Sequence, residues 1–444
     1  MTAGVPNIEA LGADVEHSAE RNLRLNTHSL ILANVLAGVL GLIFWAAAAR
    51  LFPAREVGVA SALITSAVML STLSILSIDT MYERFLPLAG TRTGKLLEHG
   101  FLLVVATSAL AGIALVVFGP RDPLFGSGWS MASFPILVMV LAVFTLLDKT
   151  AAGLGVARWS AAKNAFHAAA KLAVLVALAW TDVAVSIVFA WGAIAAAAAV
   201  FLWVALIRRI RSHPRFLVTP TLPPRRELWS YFRSSFGITA VWVIGPLAVP
   251  LIVITQVGAE ANAYFAIAWA MISALYLTVH LVVSPFVAEV AAHPDRVASL
   301  SRRLVRTLAV VAGVGGIGLV VVGPLMLDVV GAEYRANSVG LLYLAGVFVP
   351  LSVVGAIYEG LARVRRRLTL ALAVRCVSTL VIVCGSLIGA RVVGVVGVGW
   401  AYLAAEAVSA LVLIGPVVLW LRRSPQGSRF DKVLAIDSGG GQDE

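Results

Sequence analysis

Residues 208–233 read RRIRSHPRFLVTPTLPPRRELWSYFR and lie almost midway along a chain of 444 residues that is 60% hydrophobic. The stretch holds seven arginines and four prolines. Arginines are costly in hydrocarbon, and prolines interrupt a continuous helix. We therefore predict a basic linker between two membrane-embedded halves, and the rest of the chain divides around it.

The composition on both sides of the linker is that of a membrane protein. Only 13% of residues are charged, against about 25% in soluble domains, and the mean hydropathy is +0.94. Apolar runs of about 20 residues recur, which is the length of a membrane-spanning helix rather than of a barrel strand. The predicted fold class is an all-α integral membrane protein.

Twelve spans are predicted, six on each side of the linker. They cover residues 27–51, 57–79, 99–119, 131–155, 162–180 and 183–207, then 230–256, 261–288, 304–330, 337–361, 368–390 and 393–421. The domains are then a tail at 1–26, a first lobe at 27–207, the linker at 208–229, a second lobe at 230–421, and a disordered tail at 422–444.

The basic residues predict the orientation. With the linker in the cytoplasm, 26 of the 34 Lys and Arg lie on that side, Lys163 among them, and five lie outside, so both termini are predicted to be cytoplasmic. The net charge of +11 is spread over many loops, which argues against a nucleic-acid partner. Cys376 and Cys384 are eight residues apart in one span, about 12 Å along a helix, which is too far for a disulfide. No metal site is expected.

The two halves share short similarities at nearly constant spacing. Residues 52–58 resemble 256–262 at an offset of 204, and residues 154–158 resemble 361–365 at an offset of 207. We predict a duplication into two parallel six-helix lobes, because an even number of helices returns each half to the same face. Such symmetry suits alternating access around a site between two bundles.

Two stretches resemble bacterial polysaccharide flippases of the multidrug, oligosaccharidyl-lipid and polysaccharide exporter (MOP) superfamily. Residues 49–87, ARLFPAREVGVASALITSAVMLSTLSILSIDTMYERFLP, are similar to that family's first and second helices. Residues 358–413, which include GVVGVG before the last helix, are similar to its tenth to twelfth helices. Peptidoglycan-precursor flippases have two further helices, for which no spans are found here, and this favours the polysaccharide branch.

The resemblance implies a transporter rather than an enzyme. It would move a lipid-linked sugar across the bacterial inner membrane through a cationic cavity between two lobes, beside membrane lipids and with partners such as a glycan polymerase or glycosyltransferases. Arg84 falls on the family's recurrent arginine at the end of the second helix. By position alone, Arg84 is a charge that sets topology.

Intramembrane charges are the candidate site residues, because diphosphates are bound by Arg forks or Lys charges. Lys149 and Lys171 each lie 11 residues from a hairpin turn expected near Ser160, and we predict a shared cavity wall at matched depth with Asp148 as a partner. The alternative is a structural pair of Asp148 and Lys171. Arg375 lies in the eleventh span, and Glu359 can neutralise it. The two form a structural pair, or Arg375 binds cargo.

Two further features are assigned to motion and coupling. Glu406 has no base next to it in the twelfth span, and a lone carboxyl group there is neutral unless it faces water. Glu406 is the candidate residue for H⁺ or Na⁺ coupling. The alternative is a neutral, hydrogen-bonded acid in the protein core. No other cofactor is expected. Gly245, Pro246 and Pro250 interrupt the seventh span and predict a hinge or lateral gate.

Four functional classes are compatible with these patterns. A flippase for a lipid-linked polysaccharide precursor is preferred. An exporter of drugs or organic cations would show anionic rather than cationic residues in its cleft. A membrane glycosyltransferase, ligase or polymerase would need sizeable outer loops, whereas the longest predicted outer loop covers residues 120–130. A non-transporting scaffold is excluded by no feature of the sequence.

Overall fold

The computed structural model describes residues 36–423, except 127, 182, 213–215, 217, 293–295 and 365–368. The predicted N-terminal tail, the start of the first span and the tail after residue 423 lie outside the described residues. Within the described ranges the regular structure is entirely helical, with 13 α-helices, three short 3₁₀ turns and no strand.

The helices follow one another with short connections. Their bounds are α1 Leu36–Leu51, α2 Ala54–Ser74, α3 Ile78–Phe85, α4 Thr93–Phe118, α5 Gly128–Gly153, α6 Ala157–Ala177, α7 Ala184–Ser212, α8 Arg225–Gln256, α9 Ala259–Ala292, α10 Val297–Val330, α11 Ala332–Val364, α12 Thr369–Val393 and α13 Val395–Arg423.

Ten helices in the described part of the chain are long and apolar enough to cross a membrane. The other two predicted spans correspond to α1, which is described only from Leu36, and to α6, which carries a polar face. The predicted second span is broken, because Leu76 and Ser77 adopt left-handed φ angles of 52° and 57° between α2 and α3. Such angles are strained for residues other than glycine. The chain is a multi-pass, all-helical membrane protein.

The chain forms two compact units. Among the described residues, the first unit comprises 36–53 with 63–240, and the second comprises 54–62 with 241–423, so that the boundaries fall within α2 and α8. In the first unit α5 packs against α3, α4, α6 and α7; in the second unit α11 packs against α9, α10, α12 and α13. The fourth span of each half is thus its central helix. Several helix pairs correspond, for example α5–α7 with α11–α13 and α6–α7 with α12–α13, and the duplication stays a prediction.

Part of the linker is fastened to the loop between α3 and α4. The Thr91 N–H donates to the Val218 carbonyl at 3.0 Å, and the Thr221 N–H donates to the Leu88 carbonyl at 2.9 Å. Gly90 has φ +45°, and a Cβ there would lie 2.0 Å from the Val218 oxygen. Phe216 is buried in the adjoining apolar core. This part of the linker is therefore held against the first unit.

A close approach of two helix ends joins α2 to α9 within the second unit. The Asn262 side-chain amide donates a 2.8 Å hydrogen bond to the Gly58 carbonyl, and a Cβ on Gly58 would lie 1.7 Å from the Ala259 carbonyl oxygen. Gly58 and Asn262 are 204 residues apart, and the sequence repeat aligns them. Only glycine permits this approach, since every other side chain would require α2 and α9 to separate.

Candidate functional site

One face of α6 carries three basic side chains into the first unit. Lys163, His167 and Lys171 follow at four-residue spacing, which places them on one face of a helix, and their exposed fractions are only 6%, 7% and 4%. Lys163 was expected among the charges on the linker side; its side chain is buried in the first unit rather than exposed in a loop. His167 had no expected role, although its four-residue spacing from both lysines was a usable signal.

Asp148 of α5 is the counter-charge of Lys163. The Lys163 Nζ lies 2.8 Å from Asp148 Oδ1 and donates to the Phe144 carbonyl at 2.5 Å. Ser160 Oγ donates to Oδ1 at 2.5 Å, and Asn164 Nδ2 donates to Oδ2 at 3.2 Å. Asp148 therefore has three partners on α6. The expected pairing of Asp148 with Lys149 or Lys171 is corrected to Lys163.

Lys171 is surrounded by aromatic rings. Its Nζ lies 3.3 Å from the centroid of the Trp191 ring and 5.0 Å from that of Phe44. The two rings contact each other edge to face at 5.2 Å, and His167 Nε2 lies 3.1 Å from the Trp191 carbonyl, to which it donates. Among the described residues Lys171 forms no ion pair. We call Lys171, Phe44 and Trp191 the aromatic cage. In it the Lys171 ammonium is held by aromatic rings, with no carboxylate partner among the described residues.

Lys149 lies in a different environment. Its Nζ is 2.7 Å from Glu83 Oε2, and the two side chains are 43% and 49% exposed. The turn between α5 and α6 covers residues 154–156, not the expected position near Ser160. At 1.5 Å per residue, Lys149 is about 6 Å from the end of α5 and Lys171 about 21 Å from the start of α6. The expectation of matched depth is therefore wrong.

Arg84 is exposed on the last turn of α3. Its guanidinium carbon lies 5.4 Å from the centroid of the Phe85 ring. A cation at this end of a helix is favoured by the helix dipole, which accounts for its position without reference to a ligand. Its sequence neighbour Glu83 is the residue that pairs with Lys149.

The second unit has a half-buried cation of its own on α12. The Arg375 guanidinium carbon lies 4.0 Å from the centroid of the Trp242 ring. The positive charge acts on Glu359, which is the expected neighbour, and also on Glu406. The sequence showed no base beside Glu406 because Arg375 lies on α12, whereas Glu406 lies on α13.

Glu406 is enclosed by aromatic residues. Its side chain is 7% exposed, and Tyr276 donates a 3.1 Å hydrogen bond to Oε1. The Tyr402 ring lies 4.6 Å from that of Trp269, and the Tyr402 hydroxyl has no hydrogen-bond partner among the described residues. A carboxyl group, an arginine and several phenols thus share one apolar interior. In the described ranges no three His, Cys, Asp or Glu side chains converge as metal ligands.

The expected hinge residues lie inside a continuous helix. Helix α8 runs through Pro246 and Pro250, each of which removes one intrahelical hydrogen bond. Thr379 Oγ1 donates to the Val241 carbonyl at 3.0 Å, just before the first break. A Cβ on Gly245 would lie 3.5 Å from the same hydroxyl oxygen, which is ordinary contact.

Lys171 and Arg375 lie on corresponding helices of the two halves, α6 and α12, but 14 and 6 residues from the starts of those helices. Each lies on the fifth span of its half and over an aromatic ring from the first: Phe44 on α1 for Lys171, and Trp242 on α8 for Arg375. Each half therefore has a cation over an aromatic ring, at a different depth in its helix.

No family model and no curated protein matches this chain. Solved structures do match its fold. An inward-facing multidrug resistance MATE family transporter of the MOP superfamily is 12% identical, with a TM-score of 0.61 over 90% of this chain and 96% of that chain. The lipid II flippase MurJ, in an inward closed conformation, is 10% identical, with a TM-score of 0.64 over 87% of each chain.

A third match is the MATE multidrug transporter DinF-BH. It is 14% identical, with a TM-score of 0.59 over 91% of this chain and 95% of that chain. At these identities the likeness concerns the fold. The chain therefore has the fold that these MATE and MurJ transporters share.

Proposed function

We propose that this protein moves a polyprenyl-diphosphate-linked oligosaccharide across the bacterial inner membrane by alternating access. The observation that carries the proposal is the aromatic cage, in which the buried Lys171 ammonium has no carboxylate partner among the described residues. The transporter fold shared with MurJ and MATE proteins supports it. Enzymes that assemble or polymerise the same glycan are the proposed partners.

The cargo's chemistry explains why such a cation is useful. Two phosphates and a sugar must leave the headgroup region, whereas the polyprenyl tail stays in hydrocarbon. A cation in apolar surroundings interacts with phosphate much more strongly than one in water. Lys171 and Arg375 are the proposed phosphate contacts within their own units, and Arg84 and Lys149 are proposed to meet the headgroup near the membrane surface.

The proposed topology has 12 spans in two parallel lobes with both termini in the cytoplasm. Its support is the distribution of Lys and Arg and the matching helix pairs in the two units. Single cysteines placed in the 119–127 loop and after residue 423, in a background lacking Cys376 and Cys384, test it with a membrane-impermeant thiol reagent. Labelling of the tail in intact cells would contradict the topology.

A hinge in α8 is the proposed gate. Pro246 and Pro250 weaken the helix within one unit, close to Arg375 over Trp242. We expect replacement of both prolines by Ala to slow transport at least about threefold with normal expression, because the intact helix bends less readily. Unchanged transport by the double variant would show that α8 does not act as a hinge.

Transport is tested with a fluorescent polyprenyl-diphosphate oligosaccharide in proteoliposomes, where movement between leaflets exposes the dye to a membrane-impermeant quencher. The parent should move the lipid, and Lys171→Ala and Arg375→Ala should each reduce the rate at least about tenfold, or about 1.4 kcal/mol in barrier. No movement by the parent would overturn the proposal. A response in a glycosyl-transfer assay, or normal glycan output from both variants in cells, would favour an enzyme or a scaffold.

A second candidate function is export of an organic cation. Glu406 with Tyr276, Tyr402 and Trp269 combines a carboxyl group and aromatic rings, which suits a cationic ligand, and two of the structural neighbours are multidrug transporters. The nearby Arg375 opposes a cation there. Uptake of ethidium, a fluorescent organic cation, into the same proteoliposomes, without movement of the lipid, would favour this function.

A further inference from the structure

Helix α10 has a buried face and an exposed face. The buried face lies in an apolar core with residues of α9 and α11 and consists of Leu300, Leu304, Leu308 and Ala312. The exposed face includes a row of side chains that are each more than half exposed, namely Val310, Val314, Ile317 and Val321. We call these four the apolar row of α10. Apolar side chains so exposed on a membrane-spanning helix face lipid, since water contact would oppose their exposure.

Three exposed arginines precede the apolar row on the same face of α10. Arg303 and Arg306 lie seven and four residues before Val310, and this spacing places them in line with the row. Arg302 lies one turn before Arg306, beside that line. All three arginines are exposed. Because the packing of the opposite face fixes the rotation of α10, these arginines point in the direction of the lipid-facing side chains.

The charges of α10 set its depth in the membrane. Residues 307–327 carry no charge and span about 32 Å at 1.5 Å per residue, which matches a hydrocarbon core about 30 Å thick. Arg306 and Asp328 therefore lie at the two headgroup levels. Because α8 and α9 follow the linker as two successive spans, Arg306 lies on the linker side of the membrane.

The two ends of this span differ in charge. Among the described residues Arg302, Arg303 and Arg306 form no ion pair, and Glu289, which is exposed near the end of α9, pairs with none of them. At the opposite end Asp328 is an acid that pairs with Arg335. An anion is therefore favoured at the linker-side end of α10 and not at the other end.

The geometry points to a binding surface for an anionic glycerophospholipid of the linker-side leaflet. Its phosphate contacts Arg303 and Arg306, which can donate in the fork geometry that suits phosphate, and one acyl chain lies along Val310 and Val314. A soluble acidic partner fits less well, because the arginines continue a row that faces hydrocarbon. The surface belongs to the second unit alone and does not depend on the proposed cargo.

Native mass spectrometry of the purified full-length protein tests the surface with palmitoyl-oleoyl-phosphatidylglycerol and its phosphatidylcholine counterpart. The parent should bind phosphatidylglycerol more tightly than phosphatidylcholine. R303Q/R306Q should raise the apparent Kd for phosphatidylglycerol roughly 25-fold, about fivefold per arginine. The matched control R92Q/R121Q removes the same charge from two exposed arginines in the connections between helices, and it should change the Kd less than about twofold.

A second variant separates charge from an effect on folding. R303K/R306K keeps both charges, so its Kd should stay within about threefold of the parent. Equal binding of the two lipids by the parent, an effect of R92Q/R121Q as large as that of R303Q/R306Q, or a loss in R303K/R306K as large as in R303Q/R306Q would each overturn the surface. Displacement of phosphatidylglycerol by an equal concentration of glycerol phosphate, or by a tenth of its concentration of undecaprenyl phosphate, would show that the occupant is a soluble phosphate or the polyprenyl carrier and that the phospholipid assignment is wrong.

Discussion

Lys171 and Arg375 each place a positive charge over an aromatic ring from the first helix of the same half. The Lys171 Nζ lies 5.0 Å from the centroid of the Phe44 ring, and the Arg375 guanidinium carbon lies 4.0 Å from that of Trp242. Cations inside a membrane protein are costly and are usually kept for function. Each unit has one such cation, which can serve transport or packing. The predictions below separate these roles.

Replacing Lys171 by Met should slow transport strongly while leaving the fold intact. The apolar side chain removes a buried charge that has no ion-pair partner among the described residues, and such replacements are often neutral or stabilising. We expect the unfolding free energy to change by less than about 2 kcal/mol, the cation–π contribution lost. The transport rate should fall at least about tenfold, as measured with the fluorescent lipid.

Lys149→Met is the matched control. Its partner Glu83 is half exposed, and pairs of this kind contribute about 0–1 kcal/mol, so the loss of its proposed headgroup contact should slow transport by no more than about fivefold. If Lys171→Met unfolds the protein, or if both variants lose transport equally, the aromatic cage has no special role.

Asp148→Asn should destabilise the first unit. It leaves the buried Lys163 ammonium without its counter-charge, which typically costs about 3–5 kcal/mol. The double variant Asp148→Asn with Lys163→Met should recover most of this loss, because it removes both charges. Thermal unfolding in detergent measures the three variants. A double variant no more stable than Asp148→Asn would show that the pair does not act as a unit.

Glu406→Gln should separate coupling from stability. The amide oxygen can still accept the hydrogen bond from Tyr276, so the unfolding free energy should change by no more than about 1.5 kcal/mol. If Glu406 is the coupling acid, transport should no longer respond to an imposed pH or Na⁺ gradient. Tyr276→Phe is the control: it removes the hydrogen bond and keeps the acid, so the gradient response should persist. A normal response from Glu406→Gln would assign coupling elsewhere.

Gly58→Ala should destabilise the contact between α2 and α9. Its Cβ would lie 1.7 Å from the Ala259 carbonyl oxygen, which belongs to the backbone and cannot rotate away. We expect a loss of at least about 2 kcal/mol, typical of overpacking, seen as a lower thermal midpoint. Gly318→Ala has open space around its Cβ and should stabilise α10 by up to about 1 kcal/mol. Equal effects of the two variants would contradict this contact.

Several features of the site were accessible from sequence. Lys171 and Arg375 are charges in long apolar runs, so their place inside spans follows from hydropathy, and Glu359 was expected to act on Arg375. The prediction that Lys149 and Lys171 lie at matched depth was wrong because the turn lies at residues 154–156. A shift of a few residues moves a side chain by several ångströms. The burial of Lys163 was missed because a lysine near a helix start resembles a loop charge.

The sequence by itself determined that this is a helical, multi-pass membrane protein and where its apolar spans lie, because transfer free energies add residue by residue along the chain. Only the tertiary structure decided that Asp148 pairs with Lys163, that Phe44 and Trp191 enclose Lys171, and that Gly58 contacts α9. These contacts depend on how each helix is rotated about its axis and on which distant helix it meets. Side-chain packing between non-adjacent helices sets both, and no local pattern in the sequence encodes them.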